Sequence, residues 1–182
     1  MATRSKTPRA TAAWRGPTVA GLPNLEGVPL TTGARTQLLE SSAAWSGEFE
    51  WKEIEALSVY TAAFKAAKGT LIVTEGSREQ YMGIVIAGQV DVKKRRADGN
   101  QRTIAQIGPG KTFGEMSLVD GEPRSASIVA ATDSTLLIIK KEHVDRIRKE
   151  APGIGFKLFF KVSRILSQRL RQTSSILADA LG

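Results

Sequence analysis

The sequence predicts a mainly β domain, a sandwich or barrel of short antiparallel strands, carrying helices at both ends. Three observations lead there. Between Lys68 and Lys141, short β-branched runs alternate with tight-turn signals at regular intervals. After Lys141 the apolar spacing changes from two to three and four. The last segment, from Phe156 to Gly182, is long and amphipathic.

Taken in order, residues 1–30 ("MATRSKTPRATAAWRGPTVAGLPNLEGVPL") are rich in Ala, Thr, Pro and Gly and hold no period. They read as a flexible basic arm, with Arg4, Lys6, Arg9 and Arg15 preceding any acid. The folded domain is expected over residues 31–182. "TGARTQLLESSAAW" predicts a short helix. "GEFEWKEIEALSVYTAAF" predicts a second, because Phe49, Ile54 and Leu57 fall near helical spacing and early acids complement the helix dipole. "GTLIVTEG" is a strand between glycines. "YMGIVIAGQVDVKK" holds strand residues at a period of two on either side of Gly88. Asp98-Gly99 marks a tight turn into "TIAQIG", and "GPGK" turns the chain again. "SASIVAATDSTLLIIKK" reads as two strands around Thr132-Asp133-Ser134. "KEHVDRIRKEAPG" is a short helix stopped by Pro152 and Gly153. In the final helix Phe159, Val162, Leu166, Leu170, Thr173, Leu177 and Leu181 form one stripe.

Composition removes several function classes. The chain has 182 residues, no cysteine and one histidine. Disulfides, thiolate metal sites and cysteine nucleophiles are excluded, and the absence of cysteine suits a reducing cytoplasm. One imidazole is too few for most zinc or iron sites, and His143, within a charged helical segment, reads as solvent-facing. No apolar run is long enough for a membrane span. The net charge of +8 raises nucleic acid as a partner. The charge is divided between the N-terminal arm and one hairpin (Lys93, Lys94, Arg95, Arg96, Arg102), which also reads as solvated surface.

One stretch breaks the strand rhythm: "FGEMSLVDGEPRSAS", residues 113–127. Gly114 permits close backbone approach. "GEMSL" can form one helical turn with its free N–H groups outward, a setting for an anion. Arg124 adds a planar fork of donors suited to phosphate oxygens. Ser125 and the N–H of Ala126 add neutral donors. Ionised Glu115 can only accept, so it suits a ligand that also offers hydroxyl groups. Anion holder and hydroxyl acceptor together describe a sugar phosphate. A Glu115–Arg124 ion pair that merely ties down a loop is the other reading of this spacing.

This stretch resembles the phosphate-binding cassette of the cyclic nucleotide-binding domain family: Phe-Gly-Glu, then small and apolar residues, then Arg followed by small residues. "GTLIVTEG", "IVIAGQVDV" and "IGPGKTFGE" resemble the flanking strands in the same order, so the likeness covers residues 48–182. Lys111-Thr112 departs from the acidic residue more usual before Phe113. The resemblance implies an eight-stranded antiparallel jelly roll (a double-stranded β-helix) with N-terminal helices and two C-terminal helices. It implies that Arg124 binds the cyclic phosphate and Glu115 the ribose 2′-hydroxyl, with Gly114, Ser125 and Ala126 in close contact. Phe113, Met116 and Ser117 complete the cassette. "QRLRQTSSIL" resembles the C-terminal helix of the catabolite-activator branch, which implies base contacts from Thr173 and Ser174 and a preference for cAMP over cGMP. The expected protein is a non-catalytic cytoplasmic receptor without metal. Its C-terminal helices signal to an effector protein, and a homodimer through residues 155–182 is a further expectation. The chain ends at Gly182, which leaves no recognition helix, so sequence-specific DNA binding is not expected. The alternative is a ligand-free interaction module of the same fold.

Overall fold

A computed structural model describes residues 22–42, 45 and 47–181. The elements in order are β1 (Glu26–Val28), α1 (Thr32–Ser41), α2 (Trp51–Ser58), β2 (Ala62–Ala66), β3 (Leu71–Val73), β4 (Tyr81–Ala87), β5 (Val90–Arg95) and β6 (Gln101–Ile107). They continue with β7 (Thr112–Phe113), α3 (Glu115–Val119), β8 (Ser127–Ala130), β9 (Ser134–Lys140), α4 (Lys141–Glu150) and α5 (Pro152–Leu181). Two antiparallel sheets, ordered β1-β2-β9-β4-β7 and β3-β8-β5-β6, form the roll. The expected jelly-roll class holds, with nine strands among the described residues rather than eight.

The two central strands explain the sandwich between helices and second sheet. β9 reads Leu-Leu-Ile-Ile without alternation because both of its faces are covered. Leu136 and Ile138 point into the core between the sheets, with Phe64, Tyr81, Val85 and Phe113. Leu137 and Ile139 point the other way, against Leu57, Ile147, Leu158 and Val162 of the helices. β4 divides likewise, with Tyr81 and Val85 inward and Met82 and Ile84 toward the helices. The cassette is anchored where β4 meets β7: Gly83 pairs with Phe113, and a Cβ at Gly83 would enter the Phe113 ring.

Four differences from the sequence expectation have physical causes. Within the expected arm, residues 26–28 pair as β1 with β2, and Leu22 and Leu25 join the core. The rest of that arm, 1–21, lies outside the described residues. The helix expected to reach Phe64 ends at Ser58, and the chain becomes strand at Ala62, because Phe64 is needed between the sheets. α5 starts at Pro152 rather than Phe156, since proline at the first helical position gives up no intrahelical bond. His143 is buried, not solvent-facing: it shares the inner face of α4 with Ile147, one turn on.

α5 is tied to the domain by cations along its length. Lys157 pairs with Glu53 at 2.6 Å, Lys161 with Glu48 at 3.5 Å, and Arg164 also with Glu48. No helix among the described residues is long and apolar enough to cross a membrane.

The buried His143 predicts a pH dependence of stability. Burial lowers its pKa below the ordinary 6.5, and its Nδ1 has no hydrogen-bond partner. The folded state therefore takes up that proton less readily than the unfolded state. Stability is full above 6.5 and falls as the pH drops from there through the lowered folded value. Thermal melts from about pH 5.5 to 7.5 should show a steeper acid-side loss in the wild type than in His143→Leu. Parallel curves would refute this.

Candidate functional site

The cassette is built by short-range constraints on its backbone. β7 delivers Phe113 into the core, and the chain then turns at Gly114, whose φ is 76°. This left-handed conformation favours glycine, and space forbids anything larger. A Cβ at Gly114 would strike Arg124 Nη1 and lie 2.7 Å from Tyr81 O. The turn opens α3, whose first N–H groups lack intrahelical partners by geometry.

Arg124 arrives from the opposite side of the cavity. Its backbone is clamped to the β3–β4 loop, donating to Ser77 O and accepting from Gly76 N, both at 2.8 Å. Its side chain is only 4% exposed. The guanidinium lies over the Tyr81 ring at 4.3 Å, which fixes its plane. Nη1 donates to Gly114 O (2.9 Å) and to Ser117 Oγ (2.8 Å). Nε and Nη2 have no partner. Burial lowers the Arg124 pKa from its ordinary value, opposed by the nearby Tyr81, Glu79 and Glu115. Burial likewise pushes the Tyr81 phenol up to about 12, and its hydroxyl donates to Ile72 O at 2.8 Å. Two unpaired donors on a buried cation cost about 1–3 kcal/mol each. A ligand oxyanion is the group that would satisfy both.

Glu115 is fully buried. Its partner is not Arg124 but Arg169 of α5, which donates to Oε1 and, through Nη2, to Thr112 O. Oε2 has no partner. The loop-tying Glu115–Arg124 pair therefore does not form. Arg169 is the functional residue that sequence reasoning missed. Its signal was position: it continues the inner stripe of Leu158, Val162 and Ile165, where an arginine is out of place unless a buried acid faces it.

Eight of the ten expected site residues are brought together. Phe113, Gly114, Glu115, Met116, Ser117, Arg124, Ser125 and Ala126 line one cavity, closed on its apolar side by Val73, Val92, Ile107 and Ile128. Its space, counting the mouth to solvent, is about 450 Å³. Met116 stands half exposed at the mouth, with Ser125 Oγ 3.7 Å from its sulfur. Lys94 Nζ donates to Ser125 O (2.6 Å) and pairs with Glu75 (2.6 Å), securing the cassette's far end. Thr173 and Ser174 are not part of the cavity wall. Both are exposed on α5 beyond Arg169, and Ser174 Oγ donates to Leu170 O in its own helix at 2.9 Å. Among the described residues no cluster of three or more His, Asp or Glu could hold a metal ion.

The geometry thus offers an anion holder, a hydroxyl acceptor and an apolar wall within one cleft. Comparison with known proteins bears on the family of the fold. The family model described as cyclic nucleotide-binding domain matches residues 63–151. A CRP-like cAMP-activated global transcriptional regulator of Mycobacterium tuberculosis is 27% identical over 146 residues, covering 79% of this chain and 63% of that protein. The cyclic AMP receptor protein of Thermus thermophilus is 35% identical over 105 residues, 58% of this chain and 47% of that protein. The chain therefore spans less than two thirds of the length of either relative. A solved cyclic nucleotide-binding domain from Methylobacillus flagellatus superposes with a TM-score of 0.78 at 28% identity, covering 88% of this chain and 92% of that one.

The Arg169–Glu115 contact generates a stability prediction. Arg169→Ala leaves an ionised, fully buried carboxylate without its cation and should lower the unfolding free energy by roughly 2–4 kcal/mol. Adding Glu115→Gln should recover most of that loss, because the orphaned charge is gone. Denaturant titration of both variants checks this; an equal loss in single and double variants would show the pair to be unimportant.

Proposed function

Residues 63–151 belong to the cyclic nucleotide-binding domain family, and on that premise we propose that the protein is a non-catalytic, cytoplasmic receptor for a cyclic nucleotide, with cAMP preferred over cGMP. The observation that carries the reading is the pair of unsatisfied donors on buried Arg124, facing a cleft shared with the unsatisfied Oε2 of Glu115. Arg124 Nε and Nη2 hold the cyclic phosphate from one side, and the free N–H groups of the α3 turn hold it from the other. Glu115 accepts from the ribose 2′-hydroxyl. The base lies against Val73, Val92, Ile107 and Ile128. The two relatives named for cAMP support that nucleotide.

Signalling follows from Arg169. It bridges the sugar-binding carboxylate to α5, so a ligand hydroxyl arriving at Glu115 changes what α5 is fastened to. Closure of the outer half of α5 over the cleft brings Thr173 and Ser174 to the base. The surface altered is the exposed stripe of Phe156, Phe159, Leu170, Leu177 and Leu181. These residues fall on one face of the helix, which suits a second copy of this helix, and an effector protein reads the change. The second reading, a ligand-free interaction module, is favoured by one fact: Arg169 already occupies one oxygen of Glu115.

Titration of the purified protein with cAMP and with cGMP separates the two. The receptor reading expects saturation well below millimolar, cAMP ahead of cGMP. Arg124→Ala should cost roughly 3–5 kcal/mol of binding, and Glu115→Ala about 1.5–3 kcal/mol. Absence of binding below about 1 mM would favour the ligand-free module, and less than tenfold loss in Arg124→Ala would show that Arg124 does not hold the phosphate.

A further inference from the structure

A second cavity lies on the far side of Arg169, between the β6–β7 turn and α5. It is the larger space, about 770 Å³ counting its mouth. Three cations meet on it: Lys111 from the turn, and Lys161 and Arg169 from α5. No acidic residue lines it. Lys161 and Arg169 each also pair with a carboxylate outside its wall, Glu48 at 3.5 Å and the fully buried Glu115. Lys111 has no ion pair among the described residues. The amides of Gln168 and Gln172 add neutral donors. Thr112, 2% exposed, also lines this cavity, and its buried hydroxyl has no partner.

Glu48 is shared between Lys161 and Arg164, so around this pocket Lys111, Lys161, Arg164 and Arg169 face only the carboxylates of Glu48 and Glu115 among the described residues, and the excess positive charge favours an anion there. A single charge would be served by one lysine; three cations with converging amide and hydroxyl groups match several oxyanion groups at once. The position is compatible with a paired α5. Lys161, Gln168 and Gln172 lie about half a turn around the helix from the exposed stripe at Leu170 and Leu177, so a second copy on that stripe leaves the cavity open.

We propose that this cavity is a second ligand site, distinct from the cyclic nucleotide cleft, which takes a small multivalent phosphate compound of the diphosphate class. The two sites share one guanidinium. An anion in the second cavity competes with Glu115 for Arg169, and whatever it does to nucleotide affinity, the nucleotide does equally to it.

The test is calorimetric titration of the full chain with sodium pyrophosphate at low salt. It uses the wild type, Lys111→Gln, Gln172→Glu and Arg124→Gln. Lys111 and Gln172 are exposed, so the first two variants should fold normally. The proposal expects saturable binding by the wild type, weakened about tenfold or more by Lys111→Gln and by Gln172→Glu, as for one charge-assisted bond. Arg124→Gln, which removes the guanidinium of the other cleft, should bind pyrophosphate as the wild type does. No saturable binding by the wild type overturns the proposal. So does binding that survives Lys111→Gln and Gln172→Glu but is lost in Arg124→Gln, since the probe would then be in the nucleotide cleft. Neither result depends on whether cAMP binds.

Discussion

The structure turns on a guanidinium held away from water with two of its three nitrogens unused. Arg124 is stacked on Tyr81, clamped through its backbone to Ser77 and Gly76, and bonded through one nitrogen to Gly114 and Ser117. Each of these contacts orients the side chain, yet none neutralises it. A buried cation without a carboxylate partner is costly to keep. The surrounding residue choices follow from that cost. Position 114 must lack a Cβ, position 117 must be small and polar, and the ring beneath must tolerate a cation on its face.

The acid one residue beyond Gly114 couples this pocket to the rest of the molecule. Glu115 is reached from α5 by Arg169, 54 positions later in the chain, and the same helix is held to α2 and its preceding loop by Lys157, Lys161 and Arg164. Cations on the helix and acids on the body form a line of contacts of unequal strength. Those at the exposed rim are individually weak. The one at Glu115 is buried on its acidic side, so its making and breaking carries the larger energy.

Much of this was legible in the residues. The uninterrupted apolar run of β9, the glycine-punctuated strands and the Asp98-Gly99 turn each dictate local structure, and each forms where expected. The cassette was readable because its chemistry is contiguous: acceptor, donor and small residues lie within fifteen positions. What escaped was set by distant contacts. β1 is three residues long and has no period of its own; it exists because β2 offers an open edge. Tyr60 to Phe64 looks helical until the space between the sheets claims Phe64. His143 looks like a surface residue among charges until α4 is laid against Tyr60 and the end of the roll. Arg169 needed the fold to bring it to Glu115.

α5 runs without a break for 30 residues, about 45 Å at the usual helical rise, and its buried side chains, Leu158 and Val162, both lie in its first half. Among the described residues, Arg169 makes the last side-chain hydrogen bond or ion pair from this helix to the roll. Beyond it the helix continues for roughly 18 Å as a rod whose side chains are exposed. Such a rod is a lever with its fulcrum at the pocket. A tilt of about 10° there would swing the free tip by roughly 3 Å, about the length of the hydrogen bond whose rupture would start it. Length alone thus magnifies an atomic-scale event in the roll into a displacement large enough for another molecule to feel.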